Sequence, residues 1–202
     1  MNNRRFVQVV VGGTAAALVV AAGATVVLDP FFHYHNPLEG VEYPLEDGME
    51  RYLNDGIIKR YDYDAAIVGT SMMQNFKASQ FDSLFGTKSI KVTYTAETYY
   101  AIDQEVRKVL RENPDTKYIF RCLDYNKVFQ AGEVRNYDQY PDYLYDNNIL
   151  NDVNYVLNKE IFLDSTLPVI RYNMLGKETT SMDDYSFWEW AHPVGKEHVM
   201  EG

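Results

Sequence analysis

Apolar and polar positions change rhythm along the chain, and each rhythm predicts a different element. From Phe6 to Leu28 the run is apolar on every side, with Gln8, Thr14 and Thr25 as its only polar side chains and no charge. At about 1.5 Å per residue, a helix of this length crosses a hydrocarbon core of roughly 30 Å. Helices inside a soluble core rarely stay apolar all round for so long. Arg4 and Arg5 precede the run, and only acids follow it until Arg51. Basic residues stay on the cytoplasmic side, so the body is expected outside the cell. Ala22-Gly23-Ala24 also fits the small-x-small pattern of a cleaved signal peptide. The apolar run continues past it to Leu28, which favours an uncleaved anchor at 1–28, held in the lipid bilayer through residues 6–28. Both readings put the body outside the cytoplasm.

Residues 29–59 lack a clean period and carry Pro30, Pro37 and Pro44, which predicts a juxtamembrane linker. Beyond it the pattern becomes regular. Ala65-Ala66-Ile67-Val68 is a short apolar run ending at Gly69, the mark of a strand buried on both faces. Phe81, Leu84 and Phe85 then fall at helical spacing, with Gly86 as the stop. Ile90, Val92 and Tyr94 alternate with Lys91 and Thr93, which predicts a strand with one wet face or an edge position. Thr95 is placed to cap a helix whose stripe is Tyr99, Ile102, Val106, Val109 and Leu110, ended by Asn113-Pro114. A third strand is expected from about Lys117 to Leu123.

This β-α-β-α-β series with short connections predicts an α/β fold with a parallel sheet and right-handed crossovers. Strand order 2-1-3 puts the uniformly apolar strand in the centre. It also brings the ends of strands 1 and 3 together at the switch point where open α/β sheets bind ligands. Ser71 and the turn Asp124-Tyr125-Asn126 are therefore expected to face one crevice. From Gln130 the pattern weakens into a segment rich in Tyr and Asp, read as a solvated loop. Ile149, Val153, Val156 and Leu157 predict a helix over residues 149–162. Residues 60–202 are read as one α/β domain.

Charge narrows the function. The chain has 29 acidic against 19 basic residues, a formal net charge of −10. Nucleic-acid binding, which needs clustered cations, is not expected. Cys122 is the only cysteine, so neither an internal disulfide nor a cysteine-based zinc site is available. His33 and His35 could share a strand face, but no third metal ligand accompanies them in a motif. No metal and no cofactor are expected.

The chemistry concentrates at Gly69-Thr70-Ser71. A serine just past a central strand, at the head of a helical turn, is placed for nucleophilic attack, with backbone N–H groups near a developing oxyanion. Serine needs a general base to act. A serine there is equally suited to capping the helix, and the spacing leaves both roles open. Gly69 permits a tight turn and close approach. Arg121, near the end of strand 3, either pairs with an acid or reaches an anionic substrate. Cys122 is read as a small core residue. The 17 tyrosines could stack on sugar rings or cover a partly wet core.

Val68-Gly69-Thr70-Ser71-Met72 after an N-terminal anchor, with Leu123-Asp124-Tyr125-Asn126 at the third strand, resembles the SGNH/GDSL hydrolase superfamily. In detail it looks like the membrane-anchored, extracytoplasmic Gram-positive members, similar to the D-alanyl transfer protein of teichoic-acid modification and to polysaccharide O-acetyltransferases. The resemblance implies a flavodoxin-like sheet and a serine esterase or acyltransferase acting on cell-envelope glycan or teichoic acid. Ser71 matches the nucleophile, with its own N–H and Asn126 as oxyanion donors. Gly69, Thr70, Asp124 and Arg121 would shape the site. The chain departs from the family pattern in three places. Thr70 stands where the family has aspartate, and Thr95-Ala96-Glu97 lacks the second-block glycine. Glu189 and Gly195, three residues before His192 and His198, replace the aspartate of Asp-x-x-His. With three strands found where the family has about five, the chain is expected to be the N-terminal part of a longer protein.

Overall fold

The structure, a computed structural model, describes residues 3–45, 48–125, 132, 141–146, 148–177, 182, 183 and 185. The chain forms two compact units, one made of 1–44 with 141–178 and the other of 45–140 with 179–202.

The first unit begins with helix α1, Asn3–Leu28, which is long and apolar enough to cross a membrane. Almost all of it is exposed; only its last turns are covered, at Thr25, whose hydroxyl meets that of Thr166 at 3.0 Å. Asp29 ends the helix at φ 43° and is buried. Its carboxylate accepts the backbone N–H groups of His33, Tyr34 and His35 at 2.6–3.0 Å and the Tyr155 hydroxyl at 2.8 Å. A buried charge survives when hydrogen bonds replace its water, and this one has four.

The rest of the unit consists of helical pieces: α5 (Asp142–Tyr145), α6 (Val153–Val156), α7 (Lys159–Ile161) and α8 (Leu167–Leu175). A π-helical turn, Phe162–Thr166, joins α7 to α8. Pro168 supplies the reason, since it has no N–H for the ordinary helical ladder. The single helix expected over 149–162 is broken earlier, at Leu157-Asn158, where the Asn158 side chain accepts the Glu160 and Ile161 N–H groups and starts α7 anew. Its expected apolar face is largely open, with Ile149, Val153 and Leu157 exposed, and Tyr155 and Ile161 buried instead.

The second unit is α/β. Helix α2, Glu50–Arg60, falls inside the stretch expected to be a linker. Its buried Leu53, Ile57 and Ile58 lie at helical spacing, a pattern masked by the polar Asn54 and Asp55, which are buried too. Next come β1 (Ala65–Thr70), a 3₁₀ turn (Ser71–Met73), α3 (Ala78–Phe85), β2 (Ser89–Tyr94), α4 (Tyr99–Glu112) and β3 (Tyr118–Arg121). The three strands form a parallel sheet in the order β2-β1-β3, as the pattern predicts.

In register, Ile67 lies beside Lys91 on one side and Phe120 on the other. This face packs under Met73, Ala78 and Phe81. Right-handed crossovers put α3 on this face and α4 on the opposite one. Strand β2 is at the edge but has no wet face: Lys91 and Thr93 are fully buried. The Lys91 ammonium donates to the carbonyls of Gln74 at 2.9 Å and Asp183 at 2.8 Å. Capping of α4 falls to Thr98, whose hydroxyl accepts the Ala101 N–H at 3.3 Å. Thr95 instead bonds Gln74 at 2.9 Å and Glu50 at 3.1 Å. On α4, Lys108 is buried and Leu110 exposed, because Lys108 pairs with the buried Asp55 of α2.

Candidate functional site

The carboxyl ends of β1 and β3 meet as the 2-1-3 order requires. Thr70, the last residue of β1, donates its hydroxyl to the Asp124 carboxylate, and the same oxygen accepts the Met72 N–H at 3.4 Å. The other Asp124 oxygen accepts the Cys122 thiol at 3.3 Å, and the Asp124 carbonyl accepts the Tyr99 hydroxyl at 3.3 Å. One short turn after β3 is thus tied to β1 and to the first turn of α4.

The turn carrying Ser71 is held down on the sheet. A Cβ at Gly69 would stand 2.6 Å from Met73 Cγ and 3.1 Å from Cys122 Cβ, well inside contact distance. Only a residue without a side chain lets the 3₁₀ turn fold back over β1 so closely. Behind the turn, Gln74 is fully buried and donates to Glu50 and Thr95, while its carbonyl accepts Lys91.

Two hydroxyls follow one another here, and burial separates their roles. Thr70 is 4% exposed and committed to Asp124, so it locks the turn. Ser71 is half-buried, and among the described residues no side chain bonds its hydroxyl. Of the two, Ser71 is the one a substrate can reach. A histidine that could serve as its base is absent from the described residues of this unit.

Arg121 points to the α4 side. Its guanidinium lies 3.5 Å from Asp103 and over the Tyr99 ring at 5.2 Å, so it is engaged with an acid, one of the two roles the sequence allows. Burial pushes the Cys122 thiol up, and its hydrogen bond to Asp124 and that residue's charge push the same way. Burial and the nearby Asp124 charge likewise raise the Tyr99 hydroxyl. Asn126, the expected second oxyanion donor, lies outside the described residues, as do His192, His198 and the Tyr-Asp segment between 133 and 140.

Sequence reasoning missed Ala96. It follows β2 at φ 56°, a left-handed conformation that few residues other than glycine adopt without cost. The alanine hides the signal, since a glycine there would have marked the turn. His33 and His35 belong to the other unit. His33 faces Asp152 at 3.3 Å and His35 bonds the carbonyls of Asn36 and Val27 at 2.7 and 3.1 Å. No group of three or more metal-ligating side chains occurs among the described residues. Compared with known proteins, the chain matches no protein-family model, no curated protein and no solved structure.

Proposed function

We propose that the chain is a membrane-anchored, extracytoplasmic SGNH-like serine esterase or acyltransferase whose substrates are acyl esters of cell-envelope glycan or teichoic acid. One observation carries this reading: a reachable Ser71 stands at the carboxyl end of the central strand, in a turn locked to Asp124 at the end of the neighbouring strand. That is the switch point of a 2-1-3 sheet, the place where α/β folds present reactive groups.

In this reading the Ser71 hydroxyl attacks the ester carbonyl. A new C–O bond forms, the ester C–O bond breaks, and the proton leaving Ser71 passes through a general base to the departing alcohol. Water or a second hydroxyl then takes the acyl group from Ser71. Backbone N–H groups at the Ser71 turn, together with Asn126, stabilise the oxyanion.

A second reading is an anchored, catalytically inactive SGNH-like domain that binds an envelope polymer. It is favoured by the lack of a histidine among the described residues of the α/β unit. Fluorophosphonate labelling separates the two. The esterase reading expects covalent labelling of the full chain that vanishes in Ser71→Ala. A parent protein that binds glycan but takes no label supports the binding reading.

A further inference from the structure

We propose that residues 149–163 form an apolar collar that sinks into the interfacial layer of the bilayer around the outer end of α1. The inference rests on the reading of α1 as a membrane span and adds a second membrane contact to it. The run from Phe6 to Thr25 already covers a core of roughly 30 Å at about 1.5 Å per residue, so the outer boundary falls between Thr25 and Leu28. Two bonds fix the helical pieces at that depth. Thr166, in the π-helical turn, meets Thr25 at 3.0 Å, and Tyr155, in α6, meets Asp29 at 2.8 Å. Thr25 and Asp29 are one helical turn apart, so the two points at which these pieces are tied to α1 lie about 6 Å apart along its axis.

The same segment leaves five large apolar side chains open. Leu150 is 83% exposed, Ile149 75%, Leu157 56%, Val153 51% and Leu163 44%. A cluster of this kind in water is costly unless something covers it. The bilayer is the occupant the geometry favours, because the collar continues an apolar surface that α1 already presents, through the exposed Val26 and Val27. Charge identifies which part of the membrane takes part. Asp152 and Glu160 outnumber Lys159 in this segment, so attraction to anionic headgroups does not drive the contact. The acyl boundary does, and zwitterionic lipid is sufficient.

The test places a nitroxide at Leu150→Cys, Leu157→Cys or Leu163→Cys in the full chain, reconstituted in phosphatidylcholine nanodiscs. Leu18→Cys, in the middle of α1, and Leu84→Cys, an exposed position in the α/β unit, serve as references. The parent chain, treated alike, gives the background from Cys122. Expected is a label depth of about 5–10 Å below the headgroup level at all three collar positions, with oxygen favoured over a nickel chelate as at Leu18. Collar labels as open to nickel as the Leu84 label, with Leu18 in the bilayer, overturn the collar and leave the anchor standing. Protection that rises with the number of chains per disc overturns it in favour of a second copy. A water-exposed Leu18 label overturns the anchor itself, and the collar with it.

Discussion

Gly69→Ala tests how the serine turn is held. The added methyl group would sit 2.6 Å from Met73 Cγ and 3.1 Å from Cys122 Cβ. Met73 Cγ lies close to its own backbone, so relief requires the 3₁₀ turn to lift from the sheet, carrying Ser71 with it. Overpacking of this kind costs about 1–3 kcal/mol. Against it stands a gain of about 0.4–1 kcal/mol from the stiffer unfolded chain. The net expectation is a loss of about 1–2 kcal/mol, or a fall in Tm of roughly 3–12 °C for a unit of this size. Thermal unfolding of the reconstituted full chain measures it. The cause is isolated by a double-mutant cycle with Met73→Ala, which removes the nearer obstacle. In that background Gly69→Ala should lose most of its cost. A Gly69→Ala protein as stable as its parent, or one equally destabilised with and without Met73, would refute the contact as the reason for glycine.

Three further outcomes follow from the same geometry. Lys108→Met should destabilise the α/β unit by about 2–3 kcal/mol by urea unfolding, because it strips the buried Asp55 of one ion-pair partner; Lys59, at 2.9 Å, remains and limits the loss. The Asp64 carboxyl is held below its ordinary range by the Lys117 ammonium and the Lys88 N–H. Its stabilisation is thus fully present above the unfolded carboxylate pKa near 3.9 and lost as pH falls through the lower folded value. The Tm gap between the parent and Asp64→Asn should stay constant above about pH 5 and close in stronger acid; a gap that widens in acid reverses the sign of the argument. Cys122 should alkylate slowly at pH 8, gaining rate only above the usual thiol range near 8.5. Rapid reaction with iodoacetamide near neutrality would contradict its raised pKa.

The sheet was legible because strand burial writes itself in side-chain type. The apolar Ala65–Val68 run announced a central strand, the short connections implied parallel neighbours, and the two strand patterns agreed with the order observed. The meeting of the Ser71 turn with Asp124 followed from that order, before any side chain was placed. Buried polar groups were not legible in this way. Asn54 and Asp55 disguised α2, Lys91 and Thr93 imitated a wet strand face, and Lys108 displaced Leu110 from the apolar stripe. Several are satisfied by partners far along the chain, Asn54 by the Thr93 carbonyl, Asp55 by Lys108 and Lys91 by the Asp183 carbonyl, which local spacing cannot reveal. The helix expected over 149–162 failed for a related reason: the Asn158 cap splits it and the bond from Tyr155 to Asp29 sets which side is buried, and neither appears in a hydrophobic period. At the site, alanine in a glycine's conformation concealed the turn after β2.

The contact between Thr25 and Thr166 also sets an order of events during synthesis. The two residues are 141 positions apart, and most of the α/β unit is encoded between the two pieces of the first unit. Closing so long a loop adds little in free energy, since each doubling of length costs only about 0.6 kcal/mol. Its effect is on timing. When the apolar helix has been made, the wall it will rest against has not yet been synthesised. Asp29 then has only the N–H groups of His33, Tyr34 and His35, and waits for Tyr155. The first unit is finished late, by residues that emerge after the sheet. A fragment that begins beyond the apolar run lacks Thr25 altogether, so a soluble version of this protein would lack part of the wall of its own fold.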